Sequence, residues 1–329
     1  MKIALIGTGG IGGYFGACLI ADGQEVHLVS TARHVEAIST HGLRITTDDG
    51  DRVVHPASVT TDPHHVGEVD LVLVALKMPQ LRAGLDELAP LVGPHTVVVS
   101  LQNGVSAPEM LVHALGGGHV VPGLAVIVSW VEGPGHIRQI GGAPGLVVGE
   151  HLLPASRRPI PSLPDPDAPP THSGDPLPST IAELVAALRR QGVRASTDRD
   201  IDHALWVKFA LIATFGAVNT LAHATIGEVR SFAPTRALML RSLEEVRQVA
   251  ATRGVDLTPT DLSGVLDQLD AVSADSTTSM QRDLTAGRES ELPDLNGALV
   301  DMADRAGLDI PFQRTATAVL SLHALRGHV

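Results

Sequence analysis

The chain opens on an apolar run, "KIALI" at residues 2 to 6, that ends in a cluster of glycines. A run of this length with no polar alternation, closed by glycine, reads as a strand buried on both faces. A helical pattern follows as far as Asp22-Gly23, and "EVHLVS" at 25 to 30 is the next strand. Further runs of the same kind lie at 69 to 76, "VDLVLVAL", and at 96 to 102, "TVVVSLQ", each with a helical pattern behind it. Alternating strands and helices predict a parallel sheet with crossover helices. "LRITTDDGDRVV" at 43 to 54 predicts a hairpin turning at Asp49-Gly50, and "GHIRQI" with "GLVVGE" predicts another antiparallel pair near the sheet edge. A helix over about 180 to 191 and a strand "VRAST" complete this half. Past Asp198 the pattern is helical throughout. The fold class is therefore α/β: a parallel-sheet domain over 1–197, then an all-helical domain over 198–329. Between 154 and 178 lie nine of the chain's 22 prolines, so an insertion over about 153–178 is predicted to be a surface loop without chemistry.

One of the later helical patterns, "LWVKFALIATFGAVN" at 205 to 219, contains a single charged residue, Lys208. An ammonium on the inner side of an apolar helix is costly unless it is paired or its pKa falls. The alternative is a lysine on an exposed stripe, its head snorkelling to water. The helix alone does not decide between them.

Composition narrows the function classes. The chain has 329 residues and a formal charge of −12, with no Lys/Arg-rich block, which argues against a nucleic-acid partner and favours a small-molecule substrate. One cysteine, Cys18, forms no internal disulfide and no metal cluster, so no metal is expected and a reducing cytoplasm fits. Five glycines between Gly7 and Gly13 break what an export-signal scan accepts at the N-terminus. No other run reaches the ~20 residues of a membrane span, so a soluble cytoplasmic protein without membrane partners, monomeric or homodimeric, is expected.

The glycines carry the first chemistry. Gly7-Thr8-Gly9-Gly10-Ile11-Gly12 is a G-x-G-x-x-G between a predicted strand and a predicted helix, inside a βαβ unit, so the domain over 1–197 is expected to be a Rossmann-type dinucleotide-binding domain, with the helical domain over 198–329 supplying substrate and catalytic groups. There the first glycine permits the tight turn, the second lets backbone approach a pyrophosphate, and the third lets helix and strand pack closely. The second strand ends in Ser30 and Thr31 rather than the acid that holds a ribose 2′-OH, and Arg33 follows within reach of a 2′-phosphate, which favours NADP over NAD. Four more candidates stand where strands end or helices face inward. Lys77 follows "LVLVAL", Asn103 lies in "LQNGV", and "TSMQRDLTAGRESELPDLNG" supplies Ser279 and Glu291. Each has a bland alternative: a surface lysine, a turn, an N-cap and a solvated acid.

As a set, these residues resemble the ketopantoate reductase (2-dehydropantoate 2-reductase) family. The resemblance runs over nearly the whole chain outside the proline-rich insertion, through "IGTGGIGGYFG", "LVALKMPQ", "LQNGV", "PGHI", "VVGE", "DRDIDHALWVKF", "IGEVR" and "TSMQRDLTAGRESELPDLNG". It implies reduction of 2-dehydropantoate (ketopantoate) to (R)-pantoate by NADPH in pantothenate biosynthesis. It further implies Lys208 as proton donor, Glu291 and Asn103 beside the nicotinamide, Ser279 on the substrate, and Lys77 along the cofactor cleft. The chemistry agrees, because hydride delivered to a 2-oxo carbon leaves charge on oxygen that needs a proton donor and a cation.

Two positions depart from the family. Members acting on ketopantoate carry asparagines four and eight residues after this lysine, where the chain has Ile212 and Gly216. Asn219 is ~16 Å up the helix axis from Lys208. Thr31 occupies the place of the family's arginine, with Arg33 two residues later. A reductase of another ketone or 2-oxo acid with a more apolar pocket is thus an alternative, as is a non-catalytic NADP-binding regulator. Gly216 would also let a neighbouring helix close over the site.

Overall fold

The computed structural model describes residues 1–150 and 178–327, so the proline-rich insertion falls outside the described residues apart from Pro178. The elements run β1 (Lys2–Ile6), α1 (Gly10–Ala21), β2 (Glu25–Val29), α2 (Ala32–His41), β3 (Leu43–Thr47), β4 (Gly50–Val54), β5 (Ser58–Thr60) and β6 (Val69–Val74). Next come α3 (Met78–Ala83), β7 (Val92–Ser100), α4 (Ala107–Leu115), β8 (Val120–Gly133), β9 (His136–Gly149), α5 (Ser179–Arg190) and β10 (Arg194–Asp198). From there the chain is helical: α6 (Ile201–Ala222), α7 (Ile226–Ser231), α8 (Ala233–Thr252), α9 (Pro259–Ala271), α10 (Ser279–Thr285), α11 (Ala298–Ala306) and α12 (Pro311–Gly327).

The described residues form two compact units. The first takes in Met1–Gln102, 107 to 150 and 178 to 201; the second takes in Asn103–Ser106 and 202 to 327. In the first, ten strands make one sheet ordered β4-β3-β9-β8-β7-β6-β1-β2-β5, with β10 pairing β9. The central strands β6, β1 and β2 pair in parallel; along β1 and β6, Ile3, Leu5, Leu71 and Leu73 are buried on one face and Ala4, Ile6, Val72 and Val74 on the other. Burial on both faces explains why β1 and the last four residues of β6 read as apolar runs. The 43–54 hairpin is present, with Leu43 opposite Val54 and Thr47 opposite Gly50, so it turns at Asp48-Asp49, one residue earlier than expected, and Gly50 opens β4.

The second hairpin reading needs correction. "GHIRQI" and "GLVVGE" do not pair with each other; both lie on the single 14-residue strand β9, whose antiparallel partner is β8. Gly141, Gly142 and Pro144 between them mimic a turn in sequence, yet all three lie within β9, the two glycines exposed and Pro144 buried, beside a register shift in the β8–β9 ladder. An irregular ladder tolerates Gly and Pro that a regular one excludes.

The core of the second unit is built on α6, whose Phe209, Ala210, Ala213 and Ala217 are almost wholly buried with Trp206 beside them. The Trp206 and Phe209 rings meet edge to face at 5.4 Å. At 22 residues α6 is long and apolar enough to cross a membrane by length and composition, contrary to the expectation that no run reaches that length. Most of its residues are nonetheless buried, and Phe209, Ala210, Ala213, Ala217 and Val218 pack into one apolar cluster, as in a core helix. A polar thread ties α6 to its neighbours. Asn296 Nδ2 donates to the Ala213 carbonyl at 3.1 Å and to Gln313 Oε1 at 2.8 Å, and Gln313 Nε2 donates to Ser242 Oγ at 2.8 Å.

Candidate functional site

The glycine-rich turn joins β1 to α1. Gly7 takes φ +94°, in the left-handed region where a side chain is strained, and its N–H donates to the Val29 carbonyl at 2.9 Å. A Cβ on Gly12 would stand 2.1 Å from the Gly7 carbonyl oxygen and 2.9 Å from the Ala75 Cβ, so α1 approaches the sheet as only glycine allows. A Cβ on Gly9 would meet nothing within 4 Å. Gly9 caps α1 without a side-chain hydrogen bond, and no acid occupies the first turn. The first backbone N–H groups of a helix have no partner inside it. The uncapped helix N-terminus that follows Thr8 is thus open at Gly9, a setting that fits the phosphates of a dinucleotide, while Gly10 is closed off by the Ser129 carbonyl, 2.6 Å from where its Cβ would stand, with Ile11 next along the first turn.

At the end of β2 the Thr8 and Ser30 hydroxyls are hydrogen-bonded to each other. Thr31 caps α2 through extended backbone only, and Arg33 is exposed in the first turn of that helix. Arg33 stands close enough to His34 to help lower the imidazole pKa, after burial, which lowers it more. Lys77 lies two residues beyond Ala75, whose carbonyl packs against Gly7, and is exposed at the start of α3. Cys18 is buried, and burial pushes its thiol pKa up, the opposite of a reactive thiolate.

The second unit brings three of the predicted residues together. Lys208 Nζ donates to Asn103 Oδ1 at 3.0 Å, and Asn103 Nδ2 donates to Glu291 Oε2 at 3.3 Å. Lys208 is half-buried on the edge of α6, and burial pulls its pKa from 10.5 down to about 8, while the Glu291 carboxylate opposes that fall. Asn103 is presented by a braced loop. Gln102, whose role sequence reasoning missed, donates from Nε2 to the Val74 and Leu76 carbonyls at 2.9 and 3.2 Å, and Gly104 at φ +92° turns the chain away. Glu291 precedes a π-helical turn over Pro293–Gly297, in which the Gly297 N–H reaches the Leu292 carbonyl at 3.0 Å. Such wide turns recur at functional sites because they re-aim the residues they bound.

Ser279 is not joined to this triad by any hydrogen bond. It is exposed in the first turn of α10, whose N-cap is Thr278, with its hydroxyl accepting from the Gln281 N–H at 3.0 Å. Ile212 is half-buried and Gly216 buried on α6. The neighbouring helix does close over Gly216: a Cβ there would stand 2.8 Å from the Met280 methyl carbon. Asn219 is fully buried and donates to the Ala224 carbonyl at the far end of the helix, at 3.2 Å. Met280 and Asn296, beside Gly216, were not singled out from the sequence. The only signal was their place in the segment that also carries Ser279 and Glu291.

The family model described as ketopantoate reductase PanE/ApbA matches residues 3–152, and its C-terminal counterpart matches residues 200–324. A 2-dehydropantoate 2-reductase of Mesorhizobium japonicum is 31% identical over 327 residues, spanning 98% of this chain and 96% of that protein. A PanE/ApbA family ketopantoate reductase from Ralstonia eutropha JMP134 superposes with a TM-score of 0.85 at 27% identity, over 100% of both chains. D-mandelate dehydrogenase in a ternary structure with NADH and anilino(oxo)acetate gives a TM-score of 0.82 over 100% of both chains, and at 22% identity that likeness concerns the fold alone.

Proposed function

The chain belongs to the ketopantoate reductase family, and from that premise we propose that it reduces a 2-oxo acid with NADPH, nominally 2-dehydropantoate to (R)-pantoate in pantothenate biosynthesis. It is an oxidoreductase acting on CH–OH groups, and its family uses a nicotinamide cofactor. The observation that carries the proposal is Lys208, its pKa lowered to about 8 and its head tied through Asn103 to Glu291.

A nicotinamide bound at the site supplies the hydride. As a C–H bond forms at C2, the carbonyl π pair moves to oxygen, and Lys208 Nζ gives that oxygen a proton, becoming a neutral amine that water reprotonates. Before transfer the ammonium also stabilises the charge growing on the oxygen. A donor with a pKa near the working pH is well matched to this role. Asn103 Oδ1 fixes the direction of one ammonium N–H, and Glu291 holds the Asn103 carboxamide in the orientation that presents its oxygen to the lysine. Ser279 is assigned to the substrate, and Lys77 and Arg33 to the cofactor.

Ionisation of Lys208 sets the pH profile. Reduction needs the protonated lysine, so kcat/KM should hold below pH about 8 and fall about tenfold per unit above it; oxidation of the 2-hydroxy acid, which needs the neutral amine, should rise through the same range. A reduction rate unchanged up to pH ~10, the ordinary range of lysine, would remove Lys208 from the role.

NADPH is favoured over NADH because no acid stands at Ser30 or Thr31 to repel a 2′-phosphate, while Arg33 lies in the adjoining helical turn. Fluorescence titration should show tighter NADPH binding, and Arg33→Ala should weaken NADPH about tenfold with little effect on NADH, the scale of one charge-assisted hydrogen bond. Equal affinities in the unaltered protein would refute the preference. The protein is assigned to the cytoplasm, acting on a small molecule as a monomer or homodimer. Ile212 and Gly216 favour a second reading within the same chemistry, a substrate with an apolar side chain. A non-catalytic NADP-binding regulator would retain the nucleotide affinity without turnover.

A further inference from the structure

We propose that Met280 sets the substrate preference by filling the space over Gly216, and that the Asn296 carboxamide oxygen behind it is the acceptor a hydroxylated substrate would reach once Met280 withdraws; this rests on the 2-oxo acid reductase reading. Along α6, Lys208 and Ile212 are half-buried and Gly216 is buried, so the face carrying the lysine closes progressively toward Gly216. What closes it is a side chain from α10. A Cβ on Gly216 would lie 2.8 Å from the Met280 methyl carbon and 3.7 Å from its sulfur, and Met280 itself is 2% exposed. An asparagine placed at 216 would therefore collide with a thioether before it reached a ligand, and the pocket ends in an apolar surface.

That surface is deformable. Methionine has three rotatable bonds beyond Cα and repacks against differently shaped partners at little cost. Behind it lies a polar atom without a partner. Asn296 is fully buried, and its Nδ2 is committed to the Ala213 carbonyl and to Gln313 Oε1, whereas Oδ1 accepts no hydrogen bond and lies 4.0 Å from the Cβ position of Gly216. Buried carboxamide oxygens are seldom left unpaired. With Met280 in place, an apolar side chain packs on its methyl group. With Met280 displaced, a substrate hydroxyl can donate to Asn296 Oδ1.

The pair that tests this is ketopantoate and its deoxy analogue 3,3-dimethyl-2-oxobutanoate, which share the acid, the ketone and the quaternary carbon and differ in one hydroxyl. The unaltered protein should have the higher kcat/KM for the deoxy compound. Met280→Ala should shift the ratio toward ketopantoate by about tenfold or more, mostly through KM, and Met280→Leu, which refills the space, should return the ratio toward its starting value. NADPH titration and a thermal unfolding curve on each variant establish that it is folded. An unchanged ratio in a folded Met280→Ala protein overturns the proposal while leaving the reductase reading intact. Equal gains for both substrates also leave the ratio unchanged and overturn the proposal, reducing Met280 to a steric stop. Turnover of neither substrate nor any other 2-oxo acid overturns the reductase reading, and the proposal falls with it.

Discussion

Lys208→Ala is expected to lower kcat/KM for 2-oxo acid reduction by about 10²- to 10⁴-fold, the contribution usual for a positioned proton donor. The loss should appear in kcat, because the lysine acts on charge that exists mainly in the transition state. The variant should fold, since removing a half-buried ammonium whose pKa is already lowered by burial relieves a desolvation cost as well as removing a hydrogen bond to Asn103. NADPH affinity should be largely kept, the turn proposed to bind the phosphates lying elsewhere in the sequence. Steady-state kinetics with a nucleotide titration on the same preparation checks all three points. Turnover close to that of the unaltered protein would leave Lys208 as a snorkelling helix residue.

Gly12→Ala is expected to have the largest effect in the first unit. The added Cβ would lie 2.1 Å from the Gly7 carbonyl oxygen and 2.9 Å from the Ala75 Cβ, and both neighbours are fixed, one as backbone and the other as a methyl on the segment after β6. The turn must therefore move, at a cost of about 1–3 kcal/mol of stability, and the N–H groups proposed to hold the phosphates move with it. Gly9→Ala is the control: its Cβ meets nothing within 4 Å and Gly9 has φ −73°, so stability should be unaltered while the methyl intrudes where a phosphate approaches. Calorimetry and NADPH titration should show both quantities falling for Gly12→Ala and only affinity falling for Gly9→Ala. Tight NADPH binding by the Gly12 variant would mean that the turn is not the phosphate site.

The parallel strands were legible because burial on both faces writes an uninterrupted apolar run, as in β1 and β6. The long β8–β9 ribbon was not, since its irregular ladder admits Gly141, Gly142 and Pro144, which in sequence spell a turn. Of the site, Lys208 could be found because an ammonium inside an apolar helix contradicts its surroundings. Asn103 and Glu291 carry no such local contradiction. They became visible through the family resemblance, and their hydrogen bonds join positions 188 residues apart in sequence. Gln102, Met280 and Asn296 were hidden for the same reason: each matters through what it touches, and a lone Met or carboxamide in sequence does not reveal its partner.

The account turns on whether this chain reduces 2-oxo acids through Lys208. The most direct measurement follows NADPH absorbance with a panel of 2-oxo acids, ketopantoate and apolar-chain analogues among them, and identifies the product. The account predicts NADPH consumed in equal amount with a 2-hydroxy acid formed, and that turnover lost in Lys208→Ala. Tight NADPH binding without consumption by any member of the panel would contradict it and point to a nucleotide-binding regulator instead.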